Sequence, residues 1–190
     1  MIMGDWTSST YIASQVFTCI AYMLYAASYF VTERQKILAL IIIGNVNLGI
    51  GFLLLGGYVG VGMCIVAITR DTVSAIIHRC RKAQEKDKTL LTDWLWLALW
   101  VSISTTIAAF TASSLISLTA YFGTLAMTIS VWQKNGFIYR LLGILQAILW
   151  ISYSLYLQSV MGTLLEFVSL VFIIIRFIPY IRNMKTQESN

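Results

Sequence analysis

The sequence predicts an all-α integral membrane protein with seven transmembrane helices, arranged as two parallel three-helix bundles joined by a linker helix. Three observations carry this. Apolar residues make up 58% of the 190-residue chain and charged residues only 11%, about half the charged share of a water-soluble domain. Mean hydropathy is +0.79, more apolar surface than a single core of this size can bury. Finally, Lys and Arg fall on alternate connections only.

A helix needs about 20 apolar residues to cross the hydrocarbon slab, within a range of roughly 17 to 25. Seven runs qualify, at 11–31, 37–55, 58–77, 91–109, 115–132, 141–157 and 160–177. Helix is the form expected, because an open strand leaves backbone groups unpaired in lipid and a barrel shows short alternating segments. Glu33, Arg34 and Lys36 close the first run. Gly56 and Gly57 make a tight turn after the second, and 78–93 is the one long polar loop. Residues 111–114 close the fourth run, 133–136 the fifth, and Gln158 and Ser159 turn the sixth into the seventh. Pro179, the sole proline, sits where the last helix is expected to stop, and 183–190 reads as a short tail.

Cytoplasmic connections retain positive charge. Arg34 and Lys36 follow span one; Arg79, Arg81, Lys82, Lys86 and Lys88 follow span three; Lys134 and Arg140 flank the turn between spans five and six; Arg182 and Lys185 follow span seven. The N-terminal segment and the turns after spans two, four and six hold neither residue type. The N-terminus is therefore expected outside and the C-terminus in the cytoplasm. The first ten residues lack the basic region of a cleaved signal, so span one is expected to be retained.

An offset of about 100 residues lays spans one to three on spans five to seven, with Gly60 on Gly162, the parallel-repeat arrangement of some small transporters. The expected organisation is a single membrane domain over 1–190: a first three-helix repeat at 11–80, a basic cytoplasmic loop plus linker helix at 81–110, and a second repeat at 115–182.

Polar groups at membrane depth are expensive and ask for a reason. In span three, Arg70 either snorkels to the interface or turns inward, whereas Asp71 lacks that reach. Neighbours on a helix point about 100° apart, so the two need not pair. Glu166, in span seven, can be protonated, pair with a cation, bind a proton or cationic solute, or make an interhelical hydrogen bond. Arg176 reads as snorkelling. Asn45 and Asn47, beside Gly44, Gly49 and Gly51, suit either recognition of a polar solute or helix-to-helix bonding. Gln146, Trp150, Tyr153 and Tyr156 form one aromatic and polar face of span six, fit to stack on a ring or sugar, with Tyr156 equally an interface anchor. Trp94, Trp96 and Trp100 read as belt residues. Cys19, Cys64 and Cys80 lack metal-ligand spacing and read as small buried hydrophobes.

No catalytic constellation is present. There is no nucleophile elbow, metal-binding His pair or phosphate-cradling loop, and no span carries a lysine for a Schiff base. An enzyme is not expected, and no cofactor is implied. The net charge of +5 is not gathered on a solvated domain, which excludes a nucleic-acid binder.

The segment from Gly123 and Thr124 through Lys134, Arg140 and Trp150 to Gly162, Thr163, Glu166 and Ile175-Arg176-Phe177 resembles the C-terminal half of the YgjV family of bacterial inner-membrane proteins. Arg70, in Ala67-Ile68-Thr69-Arg70, is similar to that family's third-span arginine. The likeness runs over most of the chain and is strongest over 121–177. It implies the bacterial inner membrane, and kinship with the sugar-transporter-like and PQ-loop group, whose two three-helix bundles hold a solute between them. This sequence departs from that group in having no Pro-Gln pair and no proline inside a span, which leaves flexibility to the glycines of spans two and three.

The expected function is that of a small secondary transporter or facilitator of a small polar solute, working by alternating access. Its candidate solute-binding residues are Asn45, Asn47, Arg70, Asp71, Trp150, Tyr153 and Glu166. The alternative is a non-transporting scaffold or partner subunit. Expected partners are the lipid bilayer and the solute, with assembly into homo-oligomers left open.

Overall fold

A computed structural model describes residues 8–28, 30–31, 34–82, 91–132 and 136–188. Among them lie seven helices and no strand: α1 (Ser9–Ser28), α2 (Arg34–Leu54), α3 (Tyr58–Lys82), α4 (Leu91–Thr111), α5 (Leu118–Trp132), α6 (Gly136–Tyr156) and α7 (Val160–Glu188). Three stretches, Ser9–Ser28, Lys36–Leu54 and Trp94–Thr111, are long and apolar enough to cross a membrane. Leu118–Ser130, Arg140–Tyr156 and Val160–Ile175 are shorter apolar helices.

Several boundaries move from their expected places. The polar stretch expected as a loop over 78–93 is partly helical, because α3 runs on to Lys82 and α4 begins at Leu91; the rest of it, 83–90, lies outside the described residues. Residues 115–117, expected in the fifth helix, form a turn, and α5 begins at Leu118. Here the Ser114 and Ser117 side chains each accept a hydrogen bond from the other's backbone N–H at 3.2 Å, the local competition with helix that serine offers. Pro179 does not end α7, which continues through it and through 183–188, the residues expected as a tail, to Glu188. Proline removes a single backbone donor and its φ is itself helical, so the flanking turns carry the helix past.

Burial differs from that of a water-soluble bundle, because small hydroxyl residues share the interior with the apolar core and large apolar side chains face outward. Ser14, Thr18, Ser104, Thr124, Thr128, Ser130, Ser154 and Ser159 are buried, while Leu164, Phe167, Val168, Val171, Phe172 and Ile175 of α7 are exposed. Hydroxyls tolerate an apolar helix by bonding the carbonyl one turn back. Thr128 does so to Thr124 at 2.7 Å and Ser104 to Trp100 at 2.7 Å. Apolar side chains facing outward need no water-excluding partner when the solvent is lipid.

Each helix packs on its neighbours in a closed ring, α1 to α2, α3, α5, α6, α7 and back to α1, with α4 set against α3 and α5. Exchanging α1, α2 and α3 for α5, α6 and α7 leaves the six-helix ring unchanged, while α4 breaks the symmetry by packing on α3 and α5 and not on α7 and α1. The turns repeat it at atomic detail. Gly56 N–H bonds Leu53 O at 3.0 Å and Gly57 N–H bonds Phe52 O at 2.8 Å. Residues 102 further on (56 to 158, 57 to 159), Gln158 N–H bonds Leu155 O at 3.0 Å and Ser159 N–H bonds Ser154 O at 2.9 Å. Gly56 has φ 72° and Gln158 φ 55°, so both helices end in the same Schellman turn. At the second turn a glutamine takes the left-handed position that glycine fills in the first.

Candidate functional site

The core joins helices from both ends of the chain. Phe52 of α2 stacks on Trp150 of α6, with ring centres 5.6 Å apart, and meets Tyr153 edge-on at 5.4 Å. Tyr153 is 1% exposed, and its hydroxyl accepts the Gly60 backbone N–H at 2.8 Å. That donor lies in the first turn of α3, where helices leave N–H groups without intrahelical partners, so a side chain of α6 completes the start of α3. The approach depends on Gly60 having no side chain: a Cβ there would lie 2.7 Å from the Tyr153 ring and 2.8 Å from Phe52. Gly123 likewise admits the Trp150 indole, which a Cβ would meet at 2.9 Å.

Deeper along α3, about 18 Å from its start at 1.5 Å per residue, stands Arg70. It is 3% exposed, so it does not snorkel. Its Nε donates to Asp71 Oδ1 at 2.9 Å, and its Nη1 donates to Thr128 Oγ1 of α5 at 2.9 Å. The two adjacent charges do pair, the flexible guanidinium arm folding back along the helix to reach Asp71. Asp71 neutralises Arg70, and Thr128, which donates its own proton to Thr124 O, has lone pairs free for the guanidinium. A polar bond thereby spans α3 and α5.

Across the ring, Glu166 of α7 accepts a hydrogen bond from Tyr22 Oη of α1 at 2.5 Å. Glu166 is half-buried and lies one turn beyond the buried Gly162. Among the described residues no Lys, Arg or His lies within ion-pairing distance of it, and the tyrosine hydroxyl is its hydrogen-bond partner. Tyr22 meets Tyr25 edge-on at 5.7 Å, and Tyr25 Oη donates to Asn45 Oδ1 at 2.9 Å. Cys64 is 3% exposed and belongs to the core cluster that holds Tyr22 and Tyr153 and that Tyr25 packs against.

Six of the seven expected residues thus engage neighbouring helices or each other. Asn47 does not: its amide donates to Ile43 O on its own helix at 2.8 Å. Asn45 is committed at both ends of its amide, since its Nδ2 donates to Ile41 O at 3.1 Å. Arg176 lies outside the residues whose side chains are described. Tyr22, Tyr25, Phe52, Cys64 and Thr128 belong to the site although the sequence reading passed over them or took them as plain core. The available signal was the recurrence of hydroxyl groups on one face, Tyr22 with Tyr25 and Thr124 with Thr128.

Chemically, the arrangement offers a neutralised guanidinium, a carboxylate held by one hydroxyl, and an aromatic wall on the side of the tight turns. A family model described as Imp-YgjV, bacterial inner membrane protein, matches residues 12–187. No curated protein and no solved structure matches the chain.

Proposed function

Because the chain belongs to the Imp-YgjV family of bacterial inner membrane proteins, we propose that it is a small secondary transporter or facilitator that moves a small polar solute by alternating access. In this reading all seven helices cross the membrane, N-terminus outside and C-terminus cytoplasmic, as two parallel triplets, α1–α3 and α5–α7, with α4 as linker. The exchange-invariant ring and the paired Schellman turns support the duplication. Helix α5 has 15 residues, about 22 Å of rise, so it spans with help from the 112–117 connection or from local thinning of the bilayer.

The observation that carries the reading is where the costly polar groups lie. Arg70 to Thr128 joins α3 to α5, and Tyr22 to Glu166 joins α1 to α7; both bonds cross from one triplet to the other. Rocking of parallel repeats works at that seam. Arg70, Asp71 and Glu166 would meet the solute's polar groups, Trp150 and Tyr153 its ring or apolar face. No cofactor and no catalytic step is invoked. The test is flux: protein in liposomes should take up a labelled solute from a panel of sugars, nucleosides, vitamins and amino acids, and Arg70→Ala should lower the rate at least tenfold. Undiminished flux in that variant would remove Arg70 from the pathway.

A second reading, a non-transporting scaffold subunit, is favoured by Asn45, whose amide is spent on Tyr25 and Ile41. Asn45 then serves helix bonding in either case. A scaffold would pass no member of the panel and would co-purify with a partner membrane protein.

A further inference from the structure

We infer that Gln15 and Tyr153 form a reciprocal clasp that closes the outer end of the seam between the triplets, and that parting it is the step that opens this end to water. The word outer rests on the orientation proposed above, and the closing experiment separates the two.

Helix starts leave backbone N–H groups without intrahelical partners, and a chain ordinarily satisfies them from flanking residues. α7 does so in part, since Ser159 Oγ accepts the Gly162 N–H at 3.2 Å. The neighbouring donor is met differently. Met161 N–H donates to Gln15 Oε1 of α1 at 2.9 Å, a partner in the other triplet. The other end of that amide is held as well, because Gln15 Nε2 donates to Ser14 Oγ at 3.0 Å. At the start of α3 the acceptor is Tyr153 of α6, whose hydroxyl takes the Gly60 N–H at 2.8 Å. Each triplet thus lends one side chain to the first turn of a helix in the other. Met161 stands one residue from the equivalent of Gly60 under the 102-residue offset (60 to 162), so both bonds lie at the end of the bundle where α2 turns into α3 and α6 into α7.

The turns themselves are gripped across the seam. Tyr11 Oη of α1 donates to Gln158 O in the α6–α7 turn at 3.1 Å. In the α2–α3 turn, a Cβ on Gly57 would stand 2.6 Å from Leu157 and 2.8 Å from the Tyr153 hydroxyl, so a residue without a side chain lets the triplets close this far. The bond from Arg70 to Thr128 lies about 15 Å deeper than Gly60 along α3. The two levels differ in what opening leaves behind. Near the turns every partner is neutral, and water entering the seam can take over each donor and acceptor. At Arg70, opening strips a partner from a buried guanidinium, which costs more. The end bonds therefore part first, with the deep bond as the pivot.

Cys64 reads the opening, because it is 3% exposed, belongs to the same core cluster as Tyr153, and lies about 6 Å beyond Gly60 along α3. Full-length protein with Cys19→Ser and Cys80→Ser is treated with a membrane-impermeant maleimide in right-side-out and in inverted membrane vesicles. Gln15→Ala and Tyr153→Phe each remove one acceptor of the clasp. Each should label Cys64 from outside about two- to tenfold faster than the parent, the effect of one neutral hydrogen bond on an opening equilibrium, and the factors should multiply in the double variant. From the cytoplasmic face both variants should label at the parent's rate. Faster labelling from both faces is the mark of a loosened fold and would overturn the proposal, as would an unchanged rate from outside. Acceleration confined to the cytoplasmic face would keep the clasp and reverse the orientation. No solute enters this measurement, so failure of solute flux beside accelerated outer labelling would count against transport and leave the clasp standing.

Discussion

Arg70 and Asp71 show how a single residue's commitment decides its cost. The pair is 2.9 Å apart with side chains 3% and 19% exposed, and breaking a buried pair leaves a bare charge, which typically costs 3–5 kcal/mol. Arg70→Ala should lower thermal stability in detergent by about 3 kcal/mol. Adding Asp71→Asn should recover part of that loss, because the second change removes the stranded carboxylate; a double variant as unstable as the sum of the two singles would show that the pair is not coupled. At Gly60, Ala substitution sets a Cβ 2.7 Å from Tyr153, and overpacking of this kind costs about 1–3 kcal/mol. The same unfolding measurement reads it. The sequence pointed to Arg70, Asp71 and Glu166 because charge in an apolar run stands out. Tyr22, Tyr25 and Thr128 stayed hidden, since a hydroxyl that can bond its own helix or a neighbour barely disturbs the hydropathy of a span.

At the scale of elements, the helices follow from uninterrupted apolar runs, and their ends from local chemistry. Gly56 and Gln158 make the point together. Both occupy the left-handed C′ position of a Schellman turn, at φ 72° and 55°, yet glycine alone adopts it without strain. Gln158→Gly should therefore raise stability by up to about 1 kcal/mol, and Gly56→Ala should lower it by a similar amount. Shifts of the same sign in both variants would contradict equivalent turns. Because a glutamine stands at one turn and glycine at the other, residue identity masked the equivalence, and an offset of about 100 residues was legible only in element lengths and loop charge. Pro179 misled the reading of α7 for a related reason: a proline ends a helix only where nothing restores the run on its far side, and Tyr180 through Glu188 restore it.

For the whole molecule, the outward-facing apolar side chains and the helical form of the described elements have one cause, a solvent that accepts apolar side chains and refuses polar backbone. Hydropathy alone identified that solvent, because no rearrangement of 58% apolar residues could hide them from water. Which helices meet across the ring was not legible, since pairing depends on fit between faces: Gly60 under Tyr153, Gly123 under Trp150. Orientation rests on the alternation of basic connections. The most direct test places single cysteines, in a cysteine-free background, at Lys86, Ser113 and Gln158 in intact cells, and treats them with a membrane-impermeant maleimide. Seven spans with a cytoplasmic C-terminus require Ser113→Cys and Gln158→Cys to label from outside, and Lys86→Cys to label only after the membrane is breached. Labelling of Lys86→Cys in intact cells, or protection of either of the other two, would contradict the account.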